Sequence, residues 1–388
     1  MRRVRGWMLC ALAFGLALGA EDARAAPVHP FAQPDGWRAA LMQGVRGITV
    51  GPIENSYHPG VGYASPAFDR TLVESAAMGA TWVAITPFGR VADLSGTGVD
   101  LTFEAPFEDN RDAVMRAIAM AHARGLRVML VPHLWVESGD WRALIDPKTD
   151  AGWDQWAKSY GAFARTWAKV AELSGAEMFS AGVELRSWVT TARAPSFSAL
   201  LRDVRRIYHG TITYSGNWDD IEQTVILGDV DVIGINAFYP LADQDGAPES
   251  ALLEGGERVR AKVHALSESW QKPVLFTEVG YTTRKDPAVR PWEWPDSMQN
   301  VVVDEDAQAA AYRGLLAAML REPDFAGFFV WRVYCDPDDV SQEAEWGFSP
   351  RGKLAELVMR DAFAASWTGD AFAPPGWPLG SRVPGMWP

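Results

Sequence analysis

The feature that most constrains this chain is an alternation. Eight short apolar runs recur along it, at 45–50, 81–86, 127–132, 178–183, 211–215, 230–235, 273–277 and 327–331. Each is rich in Val, Ile, Leu or Phe without a polar alternation, the pattern of strands buried on both faces. Helical spacing fills the intervals. Apolar residues recur at i, i+3 and i+4 over 68–78 and over 110–123, the second running into Arg124-Gly125, a helix stop. The longest amphipathic stretches are 153–173 and 307–320. Eight strand–helix units in succession predict an α/β fold, a single-domain (β/α)8 TIM barrel. An open doubly wound sheet is the rival, and it wants a Gly-rich turn after its first strand. Here Gly44-Val45-Arg46-Gly47 opens that strand instead.

Two intervals break the regularity. Residues 216–228 are short for a strand–helix unit, and 282–304 are long. The second holds Pro287, Pro291, Trp292, Trp294 and Pro295. Long loops of this kind commonly carry function on a barrel.

The N-terminus reads as an export signal rather than as structure. Arg2, Arg3 and Arg5 precede the apolar run 7–20, and Ala23-Arg24-Ala25 satisfies the small-x-small cleavage rule. The expected division is a signal peptide at 1–25, a catalytic barrel at 26–364, and a Pro/Trp-rich tail at 365–388. The signal carries a net +2 and the whole chain −13, so cleavage leaves a mature chain near −15. That balance argues against nucleic-acid binding, which needs a basic face. No later segment is long and apolar enough to span a membrane. Cleavage also removes Cys10 and leaves Cys335 alone, so no internal disulfide forms. The composition does not fix an oligomeric state.

Two of the apolar runs end in a carboxylate. One is 177–185, with Gly182-Val183-Glu184-Leu185. The other is 273–281, with Phe276-Thr277-Glu278-Val279-Gly280-Tyr281. Burying an unpaired carboxylate is costly. Glu184 follows candidate strand four and Glu278 follows candidate strand seven, nearly opposite across a barrel of eight. Catalytic groups of such barrels sit at the C-terminal strand ends. Two acids facing each other there point to glycoside hydrolysis, one protonated and one ionised, since like charges disfavour joint ionisation. A strand-end salt bridge or a helix cap is the plainer role for either acid alone.

These motifs, together with Asp231-Val232-Ile233-Gly234-Ile235-Asn236-Ala237-Phe238-Tyr239-Pro240, resemble glycoside hydrolase family 113, a β-mannanase family of the retaining (β/α)8 glycosidase clan. The resemblance spans roughly residues 44–362. It implies Glu184 as acid/base, Glu278 as nucleophile, Tyr239 as the hydroxyl that orients the nucleophile, and Trp331 as the floor under the cleaved sugar. It implies an oligo- or polysaccharide substrate and no cofactor. In most of the wider clan Asn precedes the acid/base, but here Val183 does and cannot bond a sugar hydroxyl. Asn217, Asn236 and His133 are candidates for that contact. Trp135, Trp188, Trp218, Trp292, Trp294 and Trp346 fall after candidate strands and fit a cleft lined for sugar stacking. The histidines show no zinc spacing. Asp336, Asp338 and Asp339 lack the Gly and alternation of a calcium loop. A second reading stays open, because Glu184-Leu185-Arg186 also resembles non-catalytic, glycosidase-like barrels of phage-derived tail assemblies.

Overall fold

The computed structural model describes residues 44–51, 62–103, 105–293, 300–338 and 346–365. The expected signal peptide, Trp294, Asp339 and all of the tail but its first residue lie outside them. The strands are β1 Val45–Gly51, β2 Trp82–Ile85, β3 Phe88–Val91, β4 Arg127–Leu130, β5 His133–Val136, β6 Met178–Val183, β7 Thr211–Asn217, β8 Val232–Asn236, β9 Val274–Val279 and β10 Phe325–Tyr334. Eight of them close a parallel barrel in the order β1-β2-β4-β6-β7-β8-β9-β10, with β10 returning to β1. Each of the eight apolar runs supplies one barrel strand.

The helices are α1 Pro66–Met78, α2 Phe107–Ala123, α3 Asp150–Ser174, α4 Arg186–Val189, α5 Ala194–Arg205, α6 Glu249–Trp270, α7 Glu305–Met319 and α8 Leu354–Ala364. Local signals set their ends. Ser65 Oγ accepts from Phe68 N–H at 3.0 Å, with Pro66 following as the first helical residue of α1. Gly79 leaves that helix at φ +101°, a conformation costly for any residue with a Cβ. No full helix forms between β7 and β8. Two 3-10 turns, Ile221–Gln223 and Val225–Asp229, occupy that short interval. Among the described residues no helix is long and apolar enough to cross a membrane.

The core has two layers. Trp82, Met129, Met178, Leu275 and Phe329 fill the barrel lumen. A larger shell packs the outer strand faces against the helices, including Phe68, Trp156, Trp167, Tyr208 and Tyr312.

Three of the departures from regular pairing bear on the predicted acids. Strands β3 and β5 form a separate two-stranded parallel ribbon, Phe88 opposite His133 through Val91 opposite Val136. Its register continues that of β2 and β4 below it, where Ile85 faces Leu130. Between the two, Val131 N–H still donates to the Ile85 carbonyl at 2.9 Å and His133 N–H to the Pro87 carbonyl at 2.8 Å, and only the return bond from Pro87, which has no N–H, is missing. The other two departures are bulges. Strand β6 carries an extra residue between Ser180 and Val183 relative to β7. Strand β9 carries one beside Glu278 relative to both neighbours. Bulges re-aim the side chains next to them. Both precede or contain a glutamate of the predicted pair.

Candidate active site

Glu184 and Glu278 line one cavity of about 650 Å³ at the C-terminal mouth of the barrel. Trp141, Arg142, Asn217 and Asp219 form its polar side. Trp218, Trp292, Phe238, Phe348 and Trp331 form an aromatic side. Phe238, Trp331 and Phe348 pack as a cluster separate from the main core, with Trp218 against it. A cavity of this size with one apolar wall and a few converging polar groups is the usual form of a small-ligand site.

Glu184 is the residue after β6 and has φ +51°, a left-handed conformation that glutamate rarely adopts. It is 8% exposed. Three donors surround its carboxyl. Trp141 Nε1–H donates to Oε2 at 2.8 Å, and an Arg142 terminal nitrogen donates to the same oxygen at 3.5 Å. Asn236 Nδ2–H donates to Oε1 at 3.0 Å. Thr277 Oγ1–H donates to Asn236 Oδ1 at 3.0 Å, which turns the amide so that its NH2 faces the acid.

Glu278 is 7% exposed and meets His133, whose Nε2 lies 3.1 Å from Oε1. His133 Nδ1 lies 2.9 Å from the Val131 carbonyl, which only accepts, so Nδ1 carries a proton, and the ring lowers Glu278 only with a second proton on Nε2 donated to Oε1. Burial pushes the Glu278 carboxyl above its ordinary range, and the His133 contact pulls it back. Replacing His133 with Ala therefore lets that carboxyl rise further. If ionised Glu278 is needed for turnover, the acid limb of the kcat/KM profile moves to higher pH in His133→Ala. A limb that stays in place, measured across the acidic and neutral range, disproves the pairing.

The other predicted residues divide. Asn217, Trp218 and Trp331 line the cavity together with the two acids. Asn217 donates its amide to Asp219 at 2.7 Å. Trp218 stacks on Trp292 with ring centroids 5.3 Å apart. Trp331 stacks on His133 at 6.0 Å.

Five expectations are corrected. Tyr239 lies in the loop after β8, packed on Trp218 and Phe276, and the hydrogen bond of the Glu278 carboxyl is to His133 rather than to its hydroxyl. His133, expected to bond a sugar hydroxyl, is buried outside the cavity lining and makes that contact instead. Asn236 is 1% exposed, with its amide committed to Glu184 and Thr277, so it holds the acid rather than a sugar. Trp135 lies on the β3–β5 ribbon outside the cavity lining, with the Arg90 guanidinium 5.6 Å from its ring. Trp188 is buried among Trp156, Tyr160 and Phe197. Trp141 and Arg142 were missed. They sit in the loop after β5, and only position in that loop marks them.

Among the described residues one group has metal-ligand spacing, His264, Glu322 and Asp324. Arg260 and His264 already bond the two Glu322 oxygens at 3.2 and 2.9 Å. Glu322 precedes β10, so the group lies at the opposite end of the barrel from the cavity.

The sequence model of glycoside hydrolase family 113 matches residues 58–349. The fold is similar to that of a family 113 β-1,4-mannanase solved as a complex, at 22% identity and TM-score 0.71, covering 83% of this chain and 99% of that one. It is similar to the family 113 β-mannanase AaManA from Alicyclobacillus acidocaldarius in complex with ManMIm, at 25% identity and TM-score 0.72, covering 82% and 97%. A family 5 mannosidase from Rhizomucor miehei shares the fold at 10% identity and TM-score 0.57, covering 83% and 92%. No curated protein matched the sequence. The match over most of the chain, on a closed barrel with both acids in one cavity, makes this protein a glycoside hydrolase and a member of glycoside hydrolase family 113.

Proposed function

We propose that the protein is an exported, retaining hydrolase of β-1,4-mannan or a related β-linked polysaccharide. One observation carries the reading: Glu184 and Glu278 share a cavity that Trp141, Trp218, Phe238, Trp292, Trp331 and Phe348 also line. A pyranose presents an apolar face, and flat indole rings suit it. The β-mannanase neighbours favour mannose over other sugars. Family membership sets aside the non-catalytic barrel.

The chemistry follows from the two carboxyls. A Glu278 oxygen bonds to the anomeric carbon as the glycosidic C–O bond breaks, and the leaving oxygen takes the Glu184 proton. Water then attacks the same carbon. Glu184 takes a proton from that water, and the bond to Glu278 breaks. Two inversions leave the anomeric configuration retained.

Export rests on the pattern of residues 1–25 alone, and it requires the protein recovered outside the cytoplasm to begin at Ala26. The activity is tested by incubating the mature protein with a polysaccharide panel and following new reducing ends. Proton NMR in the first minutes should show the β-anomer of the product before mutarotation. Release of the α-anomer rules out retention. No release from any β-linked polymer rules out the substrate class.

A further inference from the structure

We propose that Arg186 is a positioning residue for the acid/base, clamping the Trp141 indole whose N–H is bonded to Glu184. The proposal rests on the retaining reading above. Arg186 lies two residues after Glu184, in the first turn of α4. Three loops of the mouth meet at its guanidinium. Its Nε–H donates to Asp220 Oδ2 at 2.6 Å, and a terminal nitrogen donates to Asp219 Oδ1, both in the segment after β7. Its Cζ stands 4.7 Å from the ring centroid of Trp141, in the loop after β5. Trp141 Nε1–H then reaches Glu184 Oε2 at 2.8 Å. Arg186 itself does not line the cavity, whereas Trp141, Asp219 and Glu184 do.

The clamp has a chemical reason. An acid/base must present one oxygen to the leaving group and later to water. Oε2 faces two donors and Oε1 faces one. Each carboxyl oxygen has two lone pairs. Oε1 therefore keeps a lone pair open for the travelling proton, while Oε2 is held. Holding it depends on the indole, and the indole depends on the cation stacked over it.

The anion side of the clamp is expensive. Asp220 is 2% exposed and its Oδ1 has no partner. Burial raises its pKa to about 6, against the pull of Arg186. A buried ion pair of this kind is weak as a stabiliser, because desolvation offsets its attraction. What it supplies is a fixed direction for the guanidinium plane.

The test uses the mature protein, Arg186→Met, Arg186→Lys and Trp141→Phe. Two substrates of the same sugar are compared, an unactivated oligosaccharide and a dinitrophenyl glycoside whose leaving group needs no proton. The proposal expects kcat/KM on the oligosaccharide to fall about 10- to 100-fold in Arg186→Met and Trp141→Phe, as for partial loss of general acid catalysis. It expects kcat/KM on the aryl glycoside to stay within about threefold. Azide, which attacks the glycosyl-enzyme without a base, should raise kcat of both variants on the aryl glycoside. Arg186→Lys keeps charge without the stacked plane and should fall between. Equal losses on both substrates, or no response to azide, overturn the proposal while leaving the retaining reading intact. A wild-type protein that cleaves neither substrate overturns both.

Discussion

Replacing Glu278 with Gln should lower kcat by about four to six orders of magnitude, with substrate binding retained. On the proposed mechanism the group removed forms the covalent bond, and the other carboxyls of the lining are already bonded, Glu184 to Trp141 and Asn236, and Asp219 to Arg186 and Asn217. Isothermal titration with an oligosaccharide should still detect binding in the variant, because the aromatic wall and Asn217 are untouched. Stability gives a second readout with a definite sign. The Glu278 carboxyl is raised in the fold by burial, so its contribution to stability is present while it is protonated and is lost as pH rises through its raised value. Gln never ionises. Thermal unfolding should therefore show Glu278→Gln gaining on wild type from acidic to neutral pH. A variant that retains near-normal turnover refutes the assignment of the nucleophile.

The second large effect is structural. Helices α6 and α7 meet backbone to backbone at Gly256 and Gly314, and a Cβ built on Gly256 overlaps the Gly314 carbonyl oxygen. Gly255 is as close to the Leu241 backbone. An exposed helical Gly→Ala change is favourable by about 1 kcal/mol. Here Gly256→Ala must push the two helices apart, and overpacking against rigid backbone should cost about 3 kcal/mol or more. Thermal unfolding should show a melting temperature several degrees lower. An unchanged or raised value means that the helices are not in contact at that point.

The barrel was legible because its strands are buried on both faces and read as uninterrupted apolar runs. The same Gly255-Gly256 pair explains one failure. Two adjacent glycines lower helical propensity, and α6 was not assigned from the sequence, although the helix needs small residues there to approach its neighbour. The β3–β5 ribbon was hidden by Pro87 and Pro132, which read as strand ends although the register continues past them. The two acids were found from their position, not from burial alone. Glu177 is buried too, and it merely accepts from Val128 N–H and His122 at the other end of β6. What the sequence hid were the contacts between loops. Trp141 reaches Glu184 across 43 positions and Asn236 reaches it across 52, and no spacing rule links them. Tyr239 and Asn236 were misassigned because one or two residues decide whether a strand-end side chain faces the cavity or a neighbour. The bulges in β6 and β9 shift that alternation at the two glutamates, and β8 itself carries none.

The left-handed backbone at Glu184 sets two demands against each other. Conformations of that kind cost on the order of 1–3 kcal/mol for a residue other than glycine. Glycine or asparagine at this position would relax the turn and relieve the buried charge. On the proposed mechanism such a change removes the proton donor, so it trades turnover for a sturdier barrel.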